Sequence, residues 1–167
     1  MVFGKDDDFI NRFAGILKWY VGYFPLACAD SKLQPVYVGD LVERIVACVE
    51  DRDSYSKRYP VCGPEVFTLR QILELIISTL RLPVRILPLG KGLSQMQALI
   101  LQNLPGKLFT MDNYRSLQTD NVCSDCEPCP TSLRQYLNGL AAMFGNKREY
   151  DGYRRNYPLD GNPRERR

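Results

Sequence analysis

Histidine is absent from all 167 positions of the sequence. Its absence excludes serine–histidine and cysteine–histidine catalysis, HExxH zinc sites and pH switching by an imidazole. Hydrophobic residues make up 45% of the chain and charged residues 25%, which is ordinary for a globular domain. This composition excludes a wholly disordered, collagen-like or coiled-coil chain, so we predict a folded domain with a core.

Long apolar runs and the features of a secretory signal are also lacking. The longest nearly uncharged run, Phe13 to Ala29, is interrupted by Lys18 and Pro25 and is shorter than the roughly 20 apolar residues of a membrane-spanning helix. The first eight residues have neither a basic start nor an apolar stretch. Six cysteines are too few for a disulfide scaffold. We therefore expect a soluble, cytoplasmic protein in a reducing compartment, or one that rests on a membrane surface.

The net charge of +3 arises entirely after Phe144, where seven basic residues face four acidic ones. Residues 145–167 contain few large apolar side chains, so we predict one domain over residues 1–144 and a basic, flexible tail over 145–167. Tyrosines between the basic residues are compatible with RNA or an anionic membrane as partner. Because acidic residues dilute the tail, we favour a solvated segment and expect no nucleic acid.

The hydrophobic pattern alternates helices with short strands, which indicates a mixed, helix-rich α/β fold. Asp40 is predicted to cap one helix, and Thr68 with Gln71 forms a capping-box pattern before another. The predicted helices lie at 8–20, 41–50, 69–80, 93–104, 111–117 and 132–144. The predicted strands lie at 34–38, 59–62 and 84–87, with 1–4 as the tail of a further strand and 66–67 as a short extended piece. At most four strands cannot bury so much apolar helix surface, so part of that surface is expected to cover a partner domain or subunit.

Several short segments occur in a recognisable order: VFG at 2–4, DFINRFA at 8–14, QPVYVGD at 34–40, YPVCGPEVFTL at 59–69, LPG at 104–106 and DN at 112–113. This order resembles the atypical extended short-chain dehydrogenases, and more narrowly the NAD-dependent epimerase/dehydratase-like proteins related to the dehydrogenase-fold accessory subunit of respiratory complex I. The resemblance covers about residues 2–122. It implies the carboxy-terminal, substrate-side portion of a Rossmann-type fold that lacks the nucleotide-binding half.

Two hallmarks of that family are missing from the chain. No glycine-rich phosphate turn follows a strand, and no tyrosine is followed four residues later by a lysine, since Tyr114 is followed there by Gln118. The resemblance implies NAD(P) in the complete family fold, but we expect no tight binding by this chain and assign no catalytic residue. Whether the chain is an enzyme is therefore left open.

The resemblance also suggests site residues. Three are expected to contact cofactor when the nucleotide-binding half is present: Val2, Phe3 and Gly4. Four others are expected to contact substrate or a partner: Asn11, Arg12, Gln34 and Tyr37.

The segment Cys123-Ser-Asp-Cys126-Glu-Pro-Cys129-Pro resembles a truncated ferredoxin motif. A fourth cysteine at the motif distance is missing. Three interpretations stay open, namely a metal or cluster site, a redox-active dithiol and an incidental cysteine-rich loop, of which we favour the last.

The favoured function is the substrate-side part of an NAD(P)-binding epimerase/dehydratase-like protein linked to complex I or quinone metabolism and peripheral to the inner membrane. The expected partner is the missing nucleotide-binding half, another subunit or complex I itself. One alternative is a non-catalytic interaction or assembly module of a larger complex. A second is a metal or thiol redox protein that uses Cys123, Cys126 and Cys129.

Overall fold

The computed structural model describes residues 1–5, 7–101 and 111–139. The predicted LPG segment at 104–106 and the predicted tail at 145–167 lie outside the described residues. The helices are α1 (Asp8–Leu17), α2 (Val38–Glu50), α3 (Leu69–Leu80), α4 (Lys91–Leu101) and α5 (Met111–Ser116), with a 3₁₀ turn at Arg52–Ser54 and further helix at 133–139. The strands are β1 (Val2–Phe3), β2 (Gly22–Leu26), β3 (Lys32–Leu33), β4 (Val36–Tyr37), β5 (Val61–Cys62), β6 (Phe67–Thr68), β7 (Val84–Pro88) and β8 (Glu127–Pro128).

The strands of the described residues pair two by two. Strands β1 and β4, β2 and β7, and β5 and β8 run parallel, whereas β3 and β6 run antiparallel. The prediction of at most four strands is wrong, because β2, β3 and β8 were not predicted. Strand β2 contains Gly22 and Pro25, two residue types that are depleted in strands, and it pairs with β7 over five residues. The fold class is nevertheless the predicted mixed α/β.

Helices α1 and α3 begin where the sequence predicts. The Asp7 carboxylate accepts a hydrogen bond of 2.8 Å from the Ile10 amide, which caps α1. At α3, Thr68 and Gln71 form the predicted reciprocal capping box. These local interactions fix the start of each helix and hence the face that it buries.

The core lies where α1 and α3 contact each other and α3 packs along β7. Its buried side chains come from both helices, from β1, β2 and β7, and from helix 133–139, and they include Phe3, Ile10, Leu17, Phe24, Leu26, Leu69, Ile72, Leu73, Ile76, Val84, Leu133 and Leu137. Since α1 leads into β2 and α3 into β7, and the two strands are parallel, the carboxyl ends of both helices lie at the same end of this layer.

Helix α2 differs from the prediction. It begins at Val38 rather than Leu41, and Asp40 lies in its first turn instead of capping it. Asp40 is the buried residue of this helix, and most of its other side chains are exposed. No helix within the described ranges is long and apolar enough to cross a membrane.

Candidate functional site

The carboxyl ends of β1 and β4 meet at one edge of their parallel pair. Val2 lies opposite Val36, and Phe3 lies opposite Tyr37. Gly4 follows β1 so closely against α2 that a Cβ atom there would lie 2.6 Å from Cγ1 of Val38. The predicted cofactor residues Val2, Phe3 and Gly4 are therefore adjacent to the predicted contact residue Tyr37.

Burial divides these predicted site residues. Phe3 is fully buried and Gly4 is buried, whereas Val2 is exposed. The Phe3 ring packs against Tyr37 and Tyr136, with ring centroids 5.6 and 5.3 Å away, and the two tyrosine rings are 5.7 Å apart. This cluster of three aromatic rings stabilises the strand edge. Tyr136 was not predicted, since it comes from a helix more than 90 residues further along the chain.

The Gln34 side chain joins two separate loops. Its amide Nε2 donates to the carbonyl of Gly63 at 2.9 Å, and its Oε1 accepts from the amide of Cys123 at 2.9 Å. A Cβ atom on Gly63 would lie 1.6 Å from the carbonyl oxygen of Pro35, so only glycine fits there. The two hydrogen bonds of the Gln34 amide thus connect the backbone at Gly63 with the backbone at Cys123, next to β4.

Asn11 and Arg12 lie in the first half of α1. The Asn11 side-chain amide donates to the carbonyls of Lys5 at 3.1 Å and Asp7 at 2.8 Å. Asn11 therefore holds the loop after β1, while Arg12 is half-buried one residue further along. The hydrogen bonds of Asn11 and Gln34 thus stabilise different loops around the β1–β4 pair.

Asp40 attaches the carboxyl-terminal part of the described chain to α2. Its carboxylate accepts from the amide of Thr131 at 2.9 Å and from the Thr131 hydroxyl at 2.8 Å. The neighbouring Ser132 hydroxyl donates to Glu65 at 2.5 Å. These carboxylate contacts precede helix 133–139 and position Tyr136 against the strand edge.

The cysteine-rich segment contains a disulfide that the sequence did not predict. Cys126 is bonded to Cys62, with the two Cα atoms 6.0 Å apart, and the amide of Cys129 donates to the carbonyl of Cys62 at 2.8 Å. Because the Cys126 sulfur is already bonded, a metal site formed by Cys123, Cys126 and Cys129 does not fit this geometry. No group of three or more potential ligands in the described part of the chain is placed to hold a metal ion. The disulfide also disagrees with the expected reducing compartment.

The two neighbouring cysteines remain free thiols. Cys129 is buried, and this burial raises the pKa of its thiol, with the charge of Asp40 adding to the effect. Arg44 lies beside this segment and forms an ion pair with Glu127 at 2.9 Å. A buried thiol with a raised pKa is a weak nucleophile, so this environment does not activate Cys129.

The exposed surface of α2 extends from the β1–β4 edge. Five of its apolar side chains are about half-exposed or more: Val38, Val42, Ile45, Val46 and Val49. We call these five residues the α2 face. A groove of about 770 Å³ runs along one side of the helix, where Tyr55 and Tyr59 lie opposite Ile45 and Val49. This surface can bury apolar area against another protein, since the five side chains recur at helical spacing and form one exposed apolar stripe, and such a stripe is normally covered.

Comparison with solved structures defines the class of fold. The chain aligns with the dTDP-4-dehydrorhamnose reductase of Bacillus anthracis in complex with NADP, with a TM-score of 0.50 and 17% identity over 87% of this chain and 45% of the other. It also aligns with a nucleoside-diphosphate-sugar epimerase of Staphylococcus aureus, with a TM-score of 0.51 and 14% identity over 78% and 46% of the two chains. The chain thus has part of the Rossmann-type fold of these reductases and epimerases, which confirms the predicted fold class.

Sequence comparison identifies the relatives. The chain is 30% identical over 133 residues to the Arabidopsis thaliana protein NADH dehydrogenase (ubiquinone) 1 alpha subcomplex subunit 9, mitochondrial, which is 73% of this chain and 33% of that protein. It is 34% identical over 77 residues to the Mus musculus protein of the same name, covering 45% and 20% of the two chains. A search of family models found no match. The chain is related to these complex I subunits, as predicted, and spans a fifth to a third of their length.

Proposed function

We propose that this chain is the substrate-side part of an NAD(P)-binding reductase- or epimerase-like protein associated with complex I, and that it acts by packing against a dinucleotide-binding part. The observation that carries the proposal is the α2 face, which directly follows the strand edge at Val38. Burial of a half-exposed valine or isoleucine contributes about 1 kcal/mol, so the five side chains together supply a substantial driving force for docking.

The position of the strand edge supports a role next to the cofactor. Val2 is exposed there, and the close approach of Gly4 to Val38 keeps the edge narrow. A planar ring such as nicotinamide can pack on an exposed valine without a polar partner. In this proposal Val2 contacts NAD(P) held by the other part, while Phe3 and Tyr37 support the edge from behind.

The chain supplies no evident proton donor for hydride-transfer chemistry, because it has no histidine and no tyrosine–lysine pair. We therefore propose that it does not catalyse a reaction alone. The relationship to a mitochondrial complex I subunit supports a location peripheral to the inner membrane, with complex I as partner. A domain over residues 1–144 with a tail over 145–167 remains part of the proposal.

The test is calorimetric titration of NADPH into the folded chain alone and into an equimolar mixture with the part of the Arabidopsis relative that this chain does not match. We expect binding only by the mixture, together with co-elution of the two proteins. Val46→Asp on the α2 face should abolish co-elution. Val66→Asp is the matched control, because the two side chains are 49% and 48% exposed, and it should leave co-elution unchanged. Micromolar binding by the chain alone would contradict the proposal, and equal effects of the two variants would contradict the role of α2.

A further inference from the structure

A second exposed surface lies at the end of the core layer where α1 and α3 finish. Lys18 is the C-cap of α1, and Arg81 is the C-cap of α3. The loops that follow are joined by a 3.1 Å hydrogen bond from the amide of Gly22 to the carbonyl of Pro83. The two helix ends and their loops therefore form one continuous surface, which we call the end face: residues 18–23 and 81–85.

Aromatic and apolar side chains project from the end face. Trp19 is 90% exposed and Val21 is 81% exposed, which is unusual for residues of this kind. The turn that carries them is held by hydrogen bonds from the amides of Trp19 and Tyr20 to α1, and the Tyr20 ring packs edge-on against Phe24 at 4.9 Å. The exposure of Trp19 and Val21 thus belongs to a turn with a defined backbone.

The charge of the end face has a single sign. Tyr23 lies opposite Arg85 in the parallel β2–β7 pair, and both side chains are exposed, so the arginine joins Lys18 and Arg81 on this surface. The sequence has no acidic residue from 9 to 29 or from 75 to 101. On α1 and α3, the acidic residues lie nearer the opposite end, because Asp7 caps the start of α1 and Glu74 is paired with Arg70 in the middle of α3.

We propose that the end face is a peripheral membrane-binding surface for anionic bilayers. Tryptophan and tyrosine favour the boundary between lipid headgroups and hydrocarbon, where an apolar ring and a polar group are both solvated. Lys18, Arg81 and Arg85 face outward and complement anionic headgroups. A protein partner is the less favoured occupant, because Trp19 and Val21 project into solvent and the cations lack the mixed charges of a typical polar rim.

The chain contains one tryptophan, Trp19, so the tryptophan fluorescence reports on the end face alone. The experiment adds vesicles of phosphatidylcholine, with or without about one third phosphatidylserine, to the full chain at low ionic strength. We expect a shift of Trp19 emission to shorter wavelength and co-sedimentation only with the anionic vesicles. Brominated lipids in the same vesicles should quench the emission.

Variants locate the binding surface. The triple variant Lys18→Gln, Arg81→Gln, Arg85→Gln should lower the partition coefficient about a hundredfold, at about fivefold per cation. The control variant replaces the exposed residues Arg52, Lys57 and Arg58 by glutamine and has the same change in net charge. It should lower the partition coefficient much less. Val21→Gln should reduce binding about tenfold, whereas Val49→Gln on the α2 face should not.

Three results would overturn the proposal. The first is a folded chain that shows neither an emission shift nor co-sedimentation with the anionic vesicles. The second is co-sedimentation without quenching of Trp19, which would assign binding to another segment such as the basic residues after position 144. The third is an equal loss of binding in the two triple variants, which would mean that only the net charge of the chain matters.

Discussion

The disulfide between Cys62 and Cys126 gives the most quantitative prediction about the stability of the chain. The bond closes a loop with a sequence separation of 64 residues. In the chain-entropy model, a loop of that length destabilises the unfolded state by about 4 kcal/mol. Cys126→Ser, or reduction of the wild-type chain, should therefore lower the free energy of unfolding by up to about 4 kcal/mol.

The structure also predicts which part of the chain is most destabilised when the disulfide is removed. Strands β5 and β8 pair over only two residues, and the amide of Cys129 bonds to the carbonyl of Cys62. Without the disulfide this two-residue pairing depends on weaker contacts such as the exposed Arg44–Glu127 ion pair, so amide hydrogen exchange in 126–129 should accelerate more than exchange in α3. Cys123→Ser is the matched control, because Cys123 is a free thiol three residues away. It should change the stability by less than about 1 kcal/mol.

The assay is urea unfolding with and without a thiol reductant, combined with peptide mapping of the alkylated, non-reduced chain. Reductant should destabilise the wild type and the Cys123→Ser variant alike, and should leave Cys126→Ser unchanged. Two results would refute the reasoning. One is a map in which Cys126 is free or is joined to a cysteine other than Cys62. The other is a reduction that leaves the urea midpoint of the wild type unchanged.

Three further changes test individual contacts by urea unfolding and thiol labelling. Asp40→Ala should cost about 2–4 kcal/mol because it removes both hydrogen bonds to Thr131, and Asp40→Asn should cost less because it keeps one acceptor; equal costs would contradict the role of the carboxylate. Gly63→Ala should destabilise by about 3 kcal/mol or more because the added Cβ meets the carbonyl of Pro35, whereas Gly15→Ala, with open space in a helix, should stabilise by up to about 1 kcal/mol. Burial raises the pKa of the Cys129 thiol, so as pH rises this thiol ionises in the unfolded state before it ionises in the folded state. The free energy of unfolding should therefore fall as pH rises past the ordinary cysteine pKa. Alkylation of Cys129 at the same rate in the folded and the unfolded chain would contradict this burial.

The sequence predicted those features whose cause is local. The capping box of Thr68 and Gln71 and the amphipathic spacing behind it specify α3 within one stretch of chain, and the structure confirms both. Asp40 shows the limit of this reasoning. A carboxylate near the start of a helix serves equally as a cap or as an acceptor in the first turn, and only the distant Thr131 decides between them.

The candidate site was only partly predictable for the same reason. The resemblance suggested Val2 and Tyr37 as site residues, and the parallel register of β1 and β4 brings them close together, since Tyr37 lies opposite Phe3. The third aromatic ring, Tyr136, and the disulfide partner of Cys126 come from distant parts of the chain. The periodicity and spacing of residues in the sequence do not indicate contacts between such distant positions, because these contacts form only when the chain folds.

The α2 face and the end face differ in charge, and this difference allows their two proposed roles to be separated in one set of measurements. Docking through the α2 face buries valine and isoleucine side chains, so its affinity should change little with salt. Binding through the end face depends on Lys18, Arg81 and Arg85, and the screening length falls from about 10 Å at 0.1 M to about 3 Å at 1 M ionic strength. Raising the salt concentration should therefore release the chain from anionic vesicles while it still co-elutes with the dinucleotide-binding part. If co-elution is lost at the same salt concentration as vesicle binding, docking is electrostatic and the apolar α2 face is not its basis.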